Sequence, residues 1–518
     1  MSTSQMLGPR HLCAGLMLVL GFAPIANAQL SAPAPAGPPA TQVPLSGRGT
    51  SPGAVVATEN AVPGPTTGVN TLNPVVDVQG AFRGAIGSTR GRPFSGTLSF
   101  RDAIERGLAF NLGAIDSSSL LKQARGLRGV ARSALLPNLV GNASVTAEQF
   151  NLAAIGVQGT PLPGFSFPTV TGPFSIYDLR VRLSQAVVDL TAWHNYRSAS
   201  ATARADELTI EDTRDLIVLA VGGTYLQTLA TGARVESARA QLETANALYQ
   251  QNAQRRAVGI VAQLDVDRSQ VQALSQQQRV LSLEADFAKQ KINLARMVGL
   301  PPVDTYNLGD RAPFSAAPPL SLDDALQQAR EQRADLKAAA AQVEAAERAL
   351  AAARAERLPA LTVNADAGAL GNTPASAQLT YTVVGAVRVP IWLGGRTGAE
   401  ILQAQAAVQQ RQAEHEDLAS QIEGDVRKAF LDLRATTTQV EVADRNRQVA
   451  AEALTLTRQR FEAGVSDNVE VIQAQEALSN AELDYINAIF SHNVAKLSLA
   501  RAIGQTAERV SDFVPTAP

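Results

Sequence analysis

The 518-residue chain repeats itself, and the repeat limits what it can fold into. Leu98-Ser99-Phe100-Arg101-Asp102-Ala103 returns as Leu320-Ser321-Leu322-Asp323-Asp324-Ala325, and Leu136-Pro137 returns as Leu358-Pro359, each 222 positions on. Farther along, Gly259 answers Gly464, and Arg296-Met297-Val298-Gly299 answers Arg501-Ala502-Ile503-Gly504, 205 positions on. One module is therefore present twice, with 17 extra residues between Pro137 and Ser184 of the first copy. A repeat of this size fixes the architecture before any local reading. It divides the chain into repeat 1 (98–300), a linker (301–319), repeat 2 (320–505) and a tail (506–518).

Each module reads helix, two strands, long helix, turn, helix. Ser99 and Ser321 are natural N-caps ahead of the acidic first-turn residues Asp102 and Asp323. The helices they open, roughly 98–136 and 320–358, stop at Pro137 and Pro359, because proline denies the helical conformation to the residue before it. The period then changes to two. Leu139, Ala143, Val145 and Ala147 alternate with Asn142, Ser144, Thr146 and Glu148. Tyr177, Leu179, Val181 and Leu183 alternate with Asp178, Arg180, Arg182 and Ser184. Leu361, Val363, Ala365 and Ala367 do the same in repeat 2, as do Leu379, Tyr381, Val383, Val387 and Val389 opposite Thr380, Thr382 and Arg388. These are four strands, each with one apolar and one polar face.

The polar faces carry charge at Asp178, Arg180, Arg182 and Arg388, as a water-filled lumen requires. Four strands cannot close a membrane barrel, whose smallest form has about eight. The chain has to associate to remove its sheet edges, and three copies give twelve strands.

Residues 191–256 and 395–461 read as uninterrupted helices of about 66 residues, or about 100 Å at 1.5 Å per residue. The helices around 264–299 and 469–504 are a little over half as long, so two short helices stacked end to end match one long one. Leu281, Ala285, Ala288, Ile292 and Ala295 follow the spacing of a coiled-coil seam, and Leu483, Ile486, Phe490, Val494 and Leu497 do much the same.

Residues 1–28 read as an export signal: Arg10, an apolar run from Leu12 to Phe22, and a small-residue cleavage site at Ala26-Asn27-Ala28. Cys13, the one cysteine, leaves with it, so neither a disulfide nor a lipid-anchoring cysteine is expected in the mature chain, nor is a transmembrane helix. The segment 29–97 is rich in Pro, Gly and Ala and reads as a largely extended or disordered tether, with Val75-Val76-Asp77-Val78 pinning its far end. Lys and Arg total 45 against 47 Asp and Glu, and Arg10 is lost with the signal, which argues against a nucleic-acid partner.

With these residues in hand, the chain resembles the TolC-like outer-membrane efflux protein family (outer membrane factors) from about Leu98 to Gln505. The most specific pieces are the two helix–turn–helix tips, Arg256-Ala257-Val258-Gly259-Ile260 running on to Val266, and Arg460-Phe461-Glu462-Ala463-Gly464-Val465 running on to Val471. The resemblance implies an α+β homotrimer: a twelve-stranded outer-membrane β-barrel in lipid, continued by a long periplasmic α-helical barrel. It implies a passive exit duct for small molecules, partnered by a periplasmic adaptor and an inner-membrane transporter. Carried over, Arg256, Val258, Gly259, Ile260, Phe461, Ala463, Gly464 and Val465 are adaptor-docking candidates. Asp265, Glu470 and Gln473 fall at the periplasmic aperture, where one of two acidic positions is neutral here. A family arginine joining the tips falls at Ser466, which leaves Arg460 or Asp467 to rewire the contact with Asp265.

No active site, cofactor or metal site is legible. His194, His415 and His492 have no second histidine at ligand spacing, and phosphate-loop and nucleophile-elbow patterns are absent. Trp193 and Trp392, where strand meets helix, suit a membrane interface or a core junction. A type I protein secretion duct is the alternative within transport, and a periplasmic coiled-coil scaffold the alternative outside it.

Overall fold

The computed structural model describes residues 55–63, 70–87, 94, 96–154, 168–302, 305–310, 314–316, 319–506, 510 and 513. The expected export signal lies outside these residues. Two strands, β1 (Val55–Pro63) and β2 (Asn70–Val78), pair antiparallel. Repeat 1 follows as β3 (Thr97–Leu98), α1 (Phe100–Phe110), α2 (Leu112–Ser133), β4 (Asn138–Asn151), β5 (Val170–Val188), α3 (Leu190–Ala257) and α4 (Gln263–Met297). After β6 (Asn307–Leu308), repeat 2 runs through α5 (Leu322–Gln332), α6 (Ala334–Ala355), β7 (Ala360–Gly371), β8 (Gln378–Arg388), α7 (Arg396–Glu462) and α8 (Asn468–Ala502).

The first helix of each repeat is broken in two, where the sequence suggested one piece. In repeat 1 the break is Asn111, whose side chain accepts from the Gly113 amide and donates to the Phe82 carbonyl. A capping side chain turned on its own backbone restarts the helix. In repeat 2 the break falls at Arg333, whose backbone (φ −58°, ψ 119°) is likewise not helical.

The four long strands form one antiparallel sheet in the order β4-β5-β7-β8. Its register aligns all four alternations. Gly141, Val181, Ala367 and Tyr381 make one row across the sheet, and Asn142, Arg180, Gly368 and Thr380 make the next, facing the other way. The apolar side is bare: Leu139, Val145, Leu179, Leu379, Tyr381, Val383 and Val387 are all exposed, Leu379 by 81%. A protein in water does not leave such a face uncovered. The outer edges of β4 and β8 have no partner strand among the described residues.

The helices repeat that order. Beside the sheet the neighbours run α2-α3-α6-α7, and farther away α4-α3-α8-α7. The chain is thus a strip four elements wide. β4, α2 and α4 lie along one lateral edge, β8 and α7 along the other. α2 meets α4 end to end where Asn111 approaches the Met297 carbonyl, and α6 meets α8 where a Cβ on Gly504 would press on the Arg333 backbone. The α3 window apolar enough to cross a bilayer is 72% buried, which marks it as a core helix.

The main core lies at this junction. Ile217, Val221, Tyr225 and Leu226 of α3 pack with Phe100, Leu294, Val426 and Leu497. Tyr225 donates to the Leu98 carbonyl or to Asp310, both 2.9 Å away, and Asp310 also caps the Phe100 amide. The Pro-rich segment departs from a bare tether here. β1 and β2 are paired, and Val76 and Val78 are buried, Val76 so tightly that a Cβ on Gly223 would stand 2.6 Å from it. Phe513 of the tail is buried in the same core.

Candidate functional site: lumen face, tips and lateral edges

On the polar face of the sheet, Arg180 is the organising group. Its guanidinium donates to Asp178 at 2.8 Å on its own strand and to Asp366 at 2.7 Å on β7. Arg182 lies one step away opposite Asp366, and Arg388, opposite Ala360, is on the same face. Asp366 is a member of the cluster that sequence reading left out. Its signal was there, since Asp366 falls between Ala365 and Ala367 of the alternating strand and so takes the polar side.

The two tips share one construction. After α3, Gly259 has φ 84° and donates to the Arg256 carbonyl, while Ile260 donates to Arg255. After α7, Gly464 has φ 74° and donates to Phe461, while Val465 donates to Arg460. This paired closure needs a left-handed residue, which is why each tip has glycine there. Val258 and Ile260 are each 70% exposed and Val465 69%. Arg256 and Ala463 are exposed as well. Phe461 is placed differently: it is buried with Leu248, Leu454 and Val471, and the Arg255 guanidinium sits 4.7 Å from its ring centre. The exposed tip surface is small, aliphatic and cationic, with Phe461 as its internal support.

The residues expected at an aperture make their charged contacts within their own tip. Ser466 donates to Glu470 at 2.6 Å, and Arg460 stands 3.8 Å from the same carboxylate. Asp265 pairs with Arg268 on its own helix at 3.8 Å. Asn468 bridges the tips, donating to the Asp265 carbonyl at 3.1 Å. Gln473 is exposed. Arg460 therefore serves Glu470 and not Asp265.

The lateral edges carry apolar residues in helical register. On α7, Val442, Val449 and Leu456 recur every seven residues, all exposed, with Leu431 and Leu402 above them. On α4 the exposed set is Leu264, Val271, Leu274, Leu281 and Ile292. The 281–295 seam read from the sequence thus begins on the outward face of α4. The stripe that packs within the chain is Val266, Ser269, Ala273, Gln276 and Val280.

At the junction, a charged cluster joins three helices. Arg501 of α8 reaches Asp212, with Asp215 at 3.8 Å and Asp335 at 4.0 Å. Arg333 grips Asp335 at 2.5 Å. Burial pushes the Asp212 carboxyl up. Burial also opposes ionised Asp335, but the hydrogen bond and charge of Arg333, helped by Arg501, hold it below the usual carboxylate range. Nearby, fully buried Lys496 donates to the Ser315 hydroxyl at 2.7 Å and carbonyl at 3.2 Å, and His492 lies 3.0 Å from that carbonyl. Burial brings the Lys496 ammonium down to about 8 and lowers His492 too. Among the described residues no group of three or more His, Cys, Asp or Glu is placed to hold a metal.

This fold is that of an outer-membrane channel protein with a periplasmic helical extension. The chain belongs to the outer membrane efflux protein family, whose profile matches residues 119–300 and again 325–505. It is 27% identical over 341 residues to the pyoverdine export outer membrane protein OpmQ of Pseudomonas putida, covering 62% of this chain and 69% of that one. It is 24% identical over 379 residues to the alkaline protease secretion protein AprF of Pseudomonas aeruginosa, covering 70% of this chain and 77% of that one. Its fold matches the Campylobacter jejuni CmeC outer membrane channel with a TM-score of 0.70 at 16% identity, over 86% of this chain and 95% of that one.

Proposed function

We propose that this chain is one third of a homotrimeric exit duct. Three copies close a twelve-stranded barrel in the outer membrane and a helical tunnel below it, and small molecules pass through without chemistry. The observation that carries this reading is the strip with two unlike edges. The outer edges of β4 and β8 have no partner strand among the described residues, and the apolar stripes of α4 and α7 lie on the same two sides of the strip. Unlike edges join head to tail and close a ring. The bare face of the sheet then meets lipid, and the face of Asp178, Arg180, Arg182, Asp366 and Arg388 lines water.

Energy and substrate choice come from partners, a periplasmic adaptor and an inner-membrane transporter. Val258, Gly259, Ile260, Ala463, Gly464 and Val465 are the docking surface for the adaptor, with Arg256 at its margin. Asp265, Glu470 and Gln473 ring the aperture. A type I protein secretion duct is the second reading, favoured by the similarity to AprF.

The test is in-cell crosslinking from Gly464→Cys, which is the sole thiol once the signal has been removed. Capture of a periplasmic adaptor together with its transporter supports the duct and names the pump class. Capture of neighbouring copies alone would remove the tips from the docking role. A proton-driven transporter favours small-molecule efflux, and an ATP-driven one beside an exported protein favours secretion.

A further inference from the structure

The two repeats treat the foot of the sheet differently. In repeat 1, β5 stays in the sheet to its last residue: Ser184, Gln185, Ala186 and Val188 all pair with β7, and Asp189 caps α3 at once. The residues 205 positions on, Val389 to Leu393, leave the sheet. β8 ends at Arg388, opposite Ala360, where β7 itself begins after Pro359, so no strand remains for Val389 to pair with. Pro390 removes one amide donor besides. The chain returns to α7 only through Gly394 and Gly395, both at positive φ (62° and 83°), which lets a short segment project and turn back.

What projects is apolar. Ile391 is 95% exposed and Trp392 85%, the two largest exposures among the big hydrophobic side chains described, and Val389 is 55% exposed. The repeat 1 counterparts of Pro390 and Ile391 are Gln185 and Ala186, and Gln185 donates inward to the Leu135 and Ala186 carbonyls. Val187 and Val188, the counterparts of Trp392 and Leu393, are apolar and exposed as well, but they stay within β5, so what is particular to repeat 2 is the departure from the sheet. The projection is continuous with the apolar face of the sheet, beginning where the row of Leu361 and Val387 ends. Trp193 lies half exposed at the strand–helix boundary of repeat 1.

We propose that Val389–Leu393 is an insertion finger whose occupant is lipid, with Ile391 and Trp392 seated at the headgroup–acyl boundary of the periplasm-facing leaflet. An indole at the foot of a lipid-facing sheet takes that depth because its ring is apolar and its N–H is polar. Three fingers per trimer fix how deep the barrel sits, and they come from repeat 2 alone. The inference rests on the barrel reading above.

The chain has only two tryptophans, so Trp193→Phe leaves Trp392 as the sole indole. The full-length variant is reconstituted in phosphatidylcholine vesicles carrying bromine at a chosen acyl depth. The expected result is blue-shifted emission, with about half of it lost to shallow bromines and much less to deep ones, as an interfacial indole requires. Red-shifted, unquenched emission places the finger in water, and blue-shifted, unquenched emission places it against the neighbouring copy. Either outcome overturns the proposal. The control carries Tyr381→Trp with both native tryptophans changed to Phe. Quenching at 381 without quenching at 392 rejects the finger and keeps the barrel. No quenching at 381 rejects the barrel, and the finger with it. Separately, Trp392→Glu should lower membrane insertion several-fold while Trp392→Phe retains it.

Discussion

Arg180 stands directly opposite Gly368, and its guanidinium passes over that gap to reach Asp366 at 2.7 Å. A Cβ at 368 would overlap the Leu179 carbonyl and the Arg180 Cβ, so the glycine is what lets two adjacent strands hold a charged clasp. Gly368→Val is expected to disrupt the β5–β7 pairing and abolish the proposed trimer, read by native gel. Arg180→Gln leaves the pairing and orphans two carboxylates, Asp178 and Asp366. Its channels in planar bilayers should show a reversal potential moved toward cation preference. An unchanged reversal potential would remove the clasp from the lumen.

The tip glycines test docking apart from folding. A β-branched residue at φ 74° is strained by about 1–2 kcal/mol, so Gly464→Val deforms the turn. The 67 residues of α7 separate that turn from the sheet by about 100 Å. Export should fall to background while trimer yield and bilayer conductance persist. Export at the wild-type level in Gly464→Val and in Gly259→Val would sink the docking assignment.

Glu470 holds a hydrogen bond from Ser466 and an ion pair with Arg460. Glu470→Gln weakens both and removes one carboxylate per copy from the proposed aperture. Cation selectivity should decline, because a ring of carboxylates favours cations in a pore. Measured selectivity that stays the same would return Glu470 to the role of a local tip fastener.

The junction charges are expected to matter more for stability than for transport. Arg501→Met removes the guanidinium that Asp212 pairs with at this half-buried junction and should cost about 3 kcal/mol. Thermal melting of the reconstituted protein reads this as a drop in Tm, while conductance per surviving channel stays the same.

Lys496 gives a pH signature of its own. Its ammonium has a lower pKa folded, about 8, than unfolded, about 10.4. The folded state therefore disfavours its charge, and stability should rise as pH climbs from 8 toward 10.4. Lys496→Met should flatten that rise in a melting series. A variant curve parallel to wild type would assign the rise to another group.

Much of this was legible in the chain because two periods and a few punctuating residues carry it. Pro137 and Pro359 mark the switch from helix to strand, and the alternation through Tyr177 to Ser184 assigns each side chain to a face. The glycines at 259 and 464 locate both tips. The unread parts depend on tertiary neighbours. Nothing local says that Phe461 turns inward beneath Arg255, or that the outward stripe of α4 includes Leu281, since a seam has the same spacing whichever helix it meets. Asp212, Asp335 and Arg501 are distant in sequence, and only the end-to-end meeting of α6 and α8 assembles them. The pairing of β1 with β2 was hidden by composition, because proline-rich stretches usually lack the apolar surface to order themselves.

In the proposed ring, the unlike edges of the strip also have a genetic consequence. A chain damaged only along α7 and another damaged only along α4 can still join once, sound edge to sound edge. A closed ring uses both edges of every copy, so the pair never completes one. The two alleles should fail to complement, and either one expressed beside the wild type should poison the rings it enters.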